Sequence, residues 1–288
     1  MKLTTLTLLL FCSSVWAQQP DYNRLKADAE KFYSEKSYAK AYELYQQAEG
    51  LKLPAAEVRW VSFRLGDTQW RAEAASNTSD STKFDQARER LEALVRDARR
   101  TEDQDRVWVE VQGSLGDFWW RQNVQNWSEA WPHYQKAFDW WGGQRVSEEA
   151  RARYLQLVWK AVHPPGVEHY YGSYYGNYLP PEILDNAIKL AQDPNDQARA
   201  HYYLANQLRM VGEMDQRQRI PEELEAALKA GKGSEWYDDS LYFYGEWMAT
   251  SGNITQDDNG QWQQTPDYNK ALQLFRRLVS EFKKGESR

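Results

Sequence analysis

The stretch AKAYELYQQAEG, residues 39–50, decides the fold, because it places Ala41, Tyr45 and Ala48 at the spacing 0, 4, 7. Residues at that spacing lie on one face of an α-helix. The same spacing recurs three more times, as Ala87/Leu91/Leu94, Ala130/Tyr134/Ala137 and Ala271/Phe275/Leu278. The pattern therefore predicts four helices, each with these three residues facing inward.

Upstream of each triad lies a second helical segment, in which a small residue stands beside a large apolar one. These segments contain Ala29/Phe32, Leu65-Gly66, Leu115-Gly116/Trp119 and Tyr244-Gly245/Met248. Two of them share the letters LGD, at residues 65–67 and 115–117. Because a small residue lets two helices approach closely while a ring fills the groove beside it, each pair of segments predicts a helical hairpin.

The spacing of the triads indicates that two further hairpins lie between the third and the last. The triads begin at residues 41, 87, 130 and 271, so the last gap is about three times the others. Second helices for the missing hairpins are predicted in PEILDNAIKLAQD around Ala187 and in PEELEAALKAG around Ala226. The sequence thus predicts about six hairpins in a single helical-repeat domain, residues 18–288.

The alternation of A/G-x2-F/W with A-x3-Y/F-x2-A/L resembles the tetratricopeptide repeat family over most of residues 22–288. This resemblance implies an all-α solenoid whose concave face binds a peptide or protein. The period of 39 to 57 residues departs from the 34 of that family and indicates longer loops. One loop contains Asn259-Gly260 between short alternating runs, which predicts a small β-hairpin near residues 254–263.

Two stretches carry a more specific resemblance: YYGNYLPPEILDNAIKLA (residues 174–191), and WYDDSLYFYGEWMATSG (236–252) with DYNKALQLFRRLVSEFKKGESR (267–288). They resemble the helical N-terminal region of bacterial alpha-2-macroglobulin-like proteins, a family of periplasmic protease traps. The Cys-Gly-Glu-Gln thioester site of that family is missing here. We therefore expect a truncated or split part of such an inhibitor system, or a stand-alone copy whose exposed end docks on a partner.

Residues 1–17, MKLTTLTLLLFCSSVWA, have the layout of a secretory signal peptide, with Lys2, an apolar run and a small-residue exit. We expect cleavage after Ala17 and a periplasmic or secreted protein. The only cysteine, Cys12, lies inside this segment, so the mature chain has no thiol for disulfides, metals or nucleophilic catalysis. The apolar run is too short to span a bilayer, so we expect no membrane insertion.

Charge and composition narrow the class of partner. The net charge of −6 is spread along the chain without a basic cluster, which argues against nucleic acid as a partner. Fourteen Trp and eighteen Tyr occur in a chain whose mean hydropathy is −0.86. Such rings can fill the interfaces between helices or line a ligand groove.

The sequence contains no catalytic motif, so we expect neither an enzyme nor a cofactor. His133 and His201 lie on predicted helices, where a structural role is expected. His163, Glu168 and His169 lie together in HPPGVEH, but ligand spacing in a Gly/Pro loop is unconstrained, and we predict no metal site. Catalysis by Glu168 or His169 on envelope polymers is the third alternative.

The stretch GVEHYYGSYYGNYLPP, residues 166–181, is predicted to form an ordered loop between the two helices of the fourth hairpin. It either lines a binding groove or plugs the solenoid without a ligand. In the third hairpin, Trp119 is predicted to face inward. Adjacent helical residues point about 100° apart, so the second ring of each Trp pair should reach a neighbouring repeat or the groove. The residues predicted to contact a partner are Tyr170, Tyr171, Tyr174, Tyr175, Tyr178, Trp120 and Trp141.

The function predicted from these features is that of a non-catalytic scaffold that binds a protein or peptide. The alternative is a module that binds glycans of the cell envelope, in which Trp and Tyr faces stack on sugars. Neither alternative requires a cofactor.

Overall fold

The computed structural model describes residues 21–76, 81–98, 100–144, 147–165 and 179–282. These residues are mostly helical, which confirms the predicted all-α class. The helices are α1 (Tyr22–Ser34), α2 (Tyr38–Glu49), α3 (Ala55–Ala75), α4 (Ser81–Val95), α5 (Arg106–Trp120), α6 (Trp127–Gly143), α7 (Glu148–Val162), α8 (Pro181–Leu190), α9 (Pro194–Val211), α10 (Met214–Arg217), α11 (Ile220–Ala230), α12 (Tyr237–Thr250) and α13 (Tyr268–Glu281), with a 3₁₀ turn at Thr101–Asp103.

The chain divides after Leu94 into two compact units. In the first unit, α1, α2 and α3 pack around a core of Leu25, Ala29, Tyr45, Ala48, Val61 and Leu65. The second unit has one continuous core that extends from α5 to α13. The prediction that residues 18–288 form a single domain stays a prediction.

Helices α5 and α6 show how a hairpin of the second unit is built. Trp120, at the end of α5, contacts Trp127, at the start of α6, with ring centroids 5.0 Å apart. Toward the other end, the indole of Trp140 donates a hydrogen bond of 2.8 Å to the carbonyl of Gln104, just before α5. Because the contacts move backward along α5 as they move forward along α6, the two helices are antiparallel.

Helices α5 and α7 are instead parallel. Arg106 donates to Glu149 at 2.6 Å, Arg153 lies 3.4 Å from Glu110, and Lys160 donates to Asp117 at 2.9 Å. These three ion pairs join residues that are 43 positions apart in every case, which is the pattern of two aligned helices. First helices of successive hairpins therefore run side by side at this point of the second unit.

A glycine on the first helix of three hairpins faces a large residue on the second. A Cβ at Gly66 would lie 2.9 Å from Leu91, one at Gly116 would lie 2.7 Å from the ring of Tyr134, and one at Gly245 would lie 2.7 Å from Phe275. Real Cβ atoms do not approach other atoms so closely, so only glycine permits these contacts. The predicted packing of small residues against large ones is confirmed at these three positions.

The aspartates of the two LGD copies are fully buried structural carboxylates. Asp67 accepts a hydrogen bond of 2.9 Å from Arg71, and Asp117 accepts bonds of 2.9 Å from both Tyr134 and Lys160. A buried carboxylate is tolerated only when it is paired and hydrogen-bonded. Each of the two units therefore contains one LGD segment whose aspartate is buried and hydrogen-bonded.

Most residues of the four predicted triads are buried in the described structure, but Leu94, Phe275 and Leu278 are only half-buried. The fourth and fifth hairpins differ from the prediction in register. Ala187 and Ala227 are buried at the third position of a triad, after Leu184 and Leu224, rather than at the first. Ala226, the predicted position, is half-buried. Several alanines in these segments fit the small position equally well, so the spacing of small residues alone could not fix the register.

The predicted β-hairpin is confirmed, with β1 (Asn253–Gln256) antiparallel to β2 (Trp262–Thr265). Gly260 has a φ of +78°, and its N–H donates to the carbonyl of Asp257 at 2.9 Å. Such a φ is accessible to glycine at little cost, which is why Asn259-Gly260 was an effective turn signal.

The contact between Gly116 and Tyr134 predicts that Gly116→Ala destabilises the protein by about 1–3 kcal/mol, because the added methyl group overlaps a buried ring. The measurement is the free energy of unfolding in urea. Gly113→Ala is the matched control on the same helix, where a Cβ would lie 3.6 Å from Leu157, an ordinary contact. The control should be neutral or stabilising by up to about 1 kcal/mol, since alanine favours helix. Equal changes in the free energy of unfolding for Gly116→Ala and Gly113→Ala would contradict the close contact between Gly116 and Tyr134.

Candidate functional site

In each pair of adjacent tryptophans in the third hairpin, one ring is buried and the other is half-buried, as expected. Which ring of the first pair is buried differs from the prediction. Trp120 is fully buried and Trp141 is 4% exposed, whereas Trp119 and Trp140 are half-buried. The prediction that Trp119 faces inward in place of Trp120 is therefore wrong by one residue. Because Trp120 and Trp141 are packing residues, neither presents a ring to a partner in this structure.

The other predicted contact residues, Tyr170, Tyr171, Tyr174, Tyr175 and Tyr178, lie outside the described residues, as do Glu168, His169 and the signal peptide. In the described ranges, no group of three His, Cys, Asp or Glu residues is placed to hold a metal ion. The structure thus tests neither the loop nor the HPPGVEH motif as a whole.

Two histidines are fixed by polar partners on neighbouring helices. His133 on α6 is 2.8 Å from the side-chain oxygen of Gln112 on α5, and His201 on α9 is 2.7 Å from Glu223 on α11. Burial, with a further contribution from Lys136, lowers the pKa of His133 to about 4. These contacts support structural roles for both residues.

Five other residues, which lie on or next to α7, α9 and α12, contact one another in the second unit. Trp159 lies on α7, with His163 directly after that helix. Arg199 and Tyr203 lie one turn apart on α9, and Trp236 lies directly before α12. We call these five residues the Arg199 cluster. None of them belongs to a predicted triad.

The guanidinium of Arg199 contacts both indoles of the cluster. Its central carbon is 4.4 Å from the ring centroid of Trp159, 5.2 Å from that of Trp236 and 5.8 Å from that of Tyr203. The rings of Tyr203 and Trp236 are 5.2 Å apart, and the hydroxyl of Tyr203 is hydrogen-bonded to Nε2 of His163. Rings from α7, from α9 and from the residue before α12 thus contact one cation.

The cluster is partly shielded from solvent, and this burial shifts the pKa values of its titratable groups. Burial raises the pKa of the Tyr203 hydroxyl, against the opposing effect of Arg199. Burial also raises the pKa of the Asp196 carboxyl, one turn before Arg199, although the cation favours its charged form. Nε of Arg199 is buried and has no hydrogen-bond partner among the described residues.

This geometry suits the recognition of a carboxylate. A guanidinium that packs on aromatic rings still presents a planar set of N–H donors, two of which a carboxylate can accept. Cation–π contacts at partly desolvated sites also hold the side chain in place by about 1–2 kcal/mol. The ligand class that fits is an acidic side chain or the C-terminal carboxylate of a peptide.

Sequence reasoning did not find the Arg199 cluster, because its members are about 40 residues apart and follow no repeated spacing. The signal that was present is weak. Trp159 with His163, and Arg199 with Tyr203, are each four residues apart and so share a helix face. Nothing in the sequence indicates that these two faces meet.

No family model, curated protein or solved structure matches this chain. Among the described helices, none is both long and apolar enough to cross a bilayer. The resemblances to tetratricopeptide repeats and to alpha-2-macroglobulin-like proteins therefore remain predictions.

The lowered pKa of His133 predicts a pH-dependent loss of stability. The pKa of a histidine in an unfolded chain is about 6.5. Between about pH 6.5 and 4 the unfolded chain therefore binds a proton at this residue that the folded chain does not bind. Stability present above pH 6.5 is lost as the pH falls to 4, by up to about 3 kcal/mol from this residue.

His133→Gln should reduce this loss, since glutamine does not titrate. Urea unfolding of both proteins at pH 7.5, 6, 5 and 4.2 measures the difference in slope. Carboxylates contribute equally to both curves and cancel. Identical slopes would show that the pKa of His133 is the same in the folded and unfolded protein.

Proposed function

We propose that this protein is a non-catalytic helical-repeat scaffold that binds a protein or peptide outside the cytoplasm. In this proposal the six hairpins form a tetratricopeptide-like solenoid, and the signal peptide directs the chain to the periplasm or to secretion. A role as a truncated or split part of an alpha-2-macroglobulin-like inhibitor system belongs to the same proposal.

The repeated helix contacts support the solenoid. Antiparallel α5 and α6, with parallel α5 and α7, are the two relationships that stacked hairpins require. In such arrays the first helices line the concave face, where extended ligands bind. Trp159, Arg199 and Tyr203 all lie on first helices of successive hairpins.

The single observation that carries the binding function is the Arg199 guanidinium, which contacts the rings of both Trp159 and Trp236 and has a buried Nε without a hydrogen-bond partner in the described residues. Orienting a charged group in a partly buried position costs desolvation, which a bound carboxylate would offset. We therefore place a peptide carboxylate at this cluster.

The alternative, an envelope glycan module, has less support from the geometry. Sugars stack on open aromatic faces, but the indoles of Trp159 and Trp236 are each in contact with Arg199. Trp120 and Trp141, the other candidate rings, are buried. The same experiment can decide between the two functions.

The test is a selection of random peptides from a phage-displayed library on the immobilised protein. Enriched peptides should share an acidic residue or a free C-terminal carboxylate. Replacing that group by its amide should weaken binding by at least about tenfold in a Trp fluorescence titration. Arg199→Ala and Arg199→Lys should weaken binding similarly, because lysine lacks the planar pair of donors.

Arg209→Ala is the matched control on the same helix, since Arg209 also stacks on a ring, Phe243 at 4.4 Å, but is paired with Glu246 at 3.1 Å. Its binding should stay within about twofold of the wild type. Peptides that bind Arg199→Ala as well as the wild type would refute the site. Failure to enrich any peptide, combined with Trp quenching by peptidoglycan, would favour the glycan function.

A further inference from the structure

Two other arginines that pack on aromatic rings are each paired with a carboxylate. Arg64 packs on three rings, and its Nε donates to Glu30 at 2.9 Å. Arg209 packs on one ring and lies 3.1 Å from Glu246. Arg199 packs on rings in the same way, but no carboxylate of the described residues forms an ion pair with it, and its Nε is buried without a hydrogen-bond partner there. A ligand carboxylate at Arg199 would repeat a pairing that the chain already uses.

An exposed carboxylate, that of Glu235, lies about one helical turn from Arg199. Asn195 and Arg199 are four residues apart on α9, so their side chains share a helix face and begin about 5–6 Å apart. The side-chain amide of Asn195 donates to Glu235 at 3.4 Å. Glu235 directly precedes Trp236, which contacts the guanidinium, and it forms no ion pair with the described residues. The site therefore offers a cation and an exposed anion that are close enough for one ligand residue to reach both.

A second carboxylate makes the surroundings of Arg199 unfavourable for a ligand that carries only negative charge. Asp196 lies one turn before Arg199 and is hydrogen-bonded to Trp159. Burial raises the pKa of Asp196, the charge of Arg199 opposes this, and the charge of Glu235 raises it further. Two carboxylates thus interact with one guanidinium. A ligand carboxylate binds better in such a setting when a positive group of the ligand accompanies it.

We infer that the ligand of the Arg199 cluster is a peptide that ends in lysine or arginine with a free C-terminal carboxylate. The carboxylate pairs with Arg199, and the basic side chain of the same residue extends to Glu235. The four-carbon stem of lysine spans about one turn of helix. This inference rests on the proposed function, which places a carboxylate at Arg199, and it adds the residue that carries this carboxylate.

The test uses four synthetic peptides that differ only at the last residue. They end in lysine or in norleucine, which has a similar length and no charge, and each is made as the free acid and as the amide. Calorimetric titration of the full chain at low ionic strength measures the affinities. The lysine acid should bind at least about threefold more tightly than the norleucine acid, the effect of one partly exposed ion pair. Both acids should bind more tightly than their amides.

Glu235→Gln should abolish the preference for lysine over norleucine without weakening the binding of the norleucine acid. Arg199→Ala should weaken the binding of both acids. Asp258→Asn is the matched control, because it removes one negative charge from an exposed residue of the loop between β1 and β2. This control should keep the preference for lysine within about twofold of the wild type.

The outcomes separate this inference from the proposed function. Acids that bind more tightly than amides, but with equal affinity for lysine and norleucine, would overturn the inference and leave the carboxylate site in place. A preference for lysine that Glu235→Gln does not reduce would also overturn it. Equal affinities of acids and amides would refute the carboxylate site itself, and the inference with it.

Discussion

The packing of a helical glycine against a large side chain is the constraint on which the hairpins depend. At Gly66, Gly116 and Gly245 the two helices of a hairpin approach until the facing residue touches the backbone. Close approach buries more apolar surface for each turn of helix than side-chain packing alone would. This compensates for a composition in which apolar surface is concentrated in a few large rings.

The same contact explains why polar groups can be buried beside it. Tyr134 lies on Gly116 and donates its hydroxyl to Asp117, the next residue, which also accepts from Lys160. One tyrosine therefore supplies both the ring that fills the groove and a hydrogen bond to a buried carboxylate. In the first unit, Leu91 fills the groove at Gly66, and Asp67 accepts from Arg71, lies 3.7 Å from Arg64 and is hydrogen-bonded to Tyr33.

The helices and hairpins could be predicted because their signal is local and repeated. Ala41, Tyr45 and Ala48 are close in sequence, and the recurrence of their spacing made chance matches improbable. The register of a helix was harder to predict where several small residues could occupy the same position, as at Ala226 and Ala227. The same difficulty arose where two large rings are adjacent, as at Trp119 and Trp120. In these cases the outcome depends on helix rotation, which tertiary packing determines.

The candidate site could not be predicted, because it depends on contacts between residues of different hairpins. Trp159, Arg199 and Trp236 each look ordinary in their own segments, and only the side-by-side arrangement of α7, α9 and α12 brings them together. The opposite holds for residues 166–178, which are rich in tyrosine and glycine and so stand out in the sequence but lie outside the described residues.

The ion pairs between α5 and α7 also determine which sliding motions the array tolerates. Along the shared edge, the order of charges is positive then negative on α5, at Arg106 and Glu110, and negative then positive on α7, at Glu149 and Arg153. A shift of one helical turn in either direction would place arginine opposite arginine, or glutamate opposite glutamate. The charges on this edge therefore favour one alignment of α5 and α7 and disfavour sliding by a turn in either direction, whereas a small tilt about the contact keeps the pairs together.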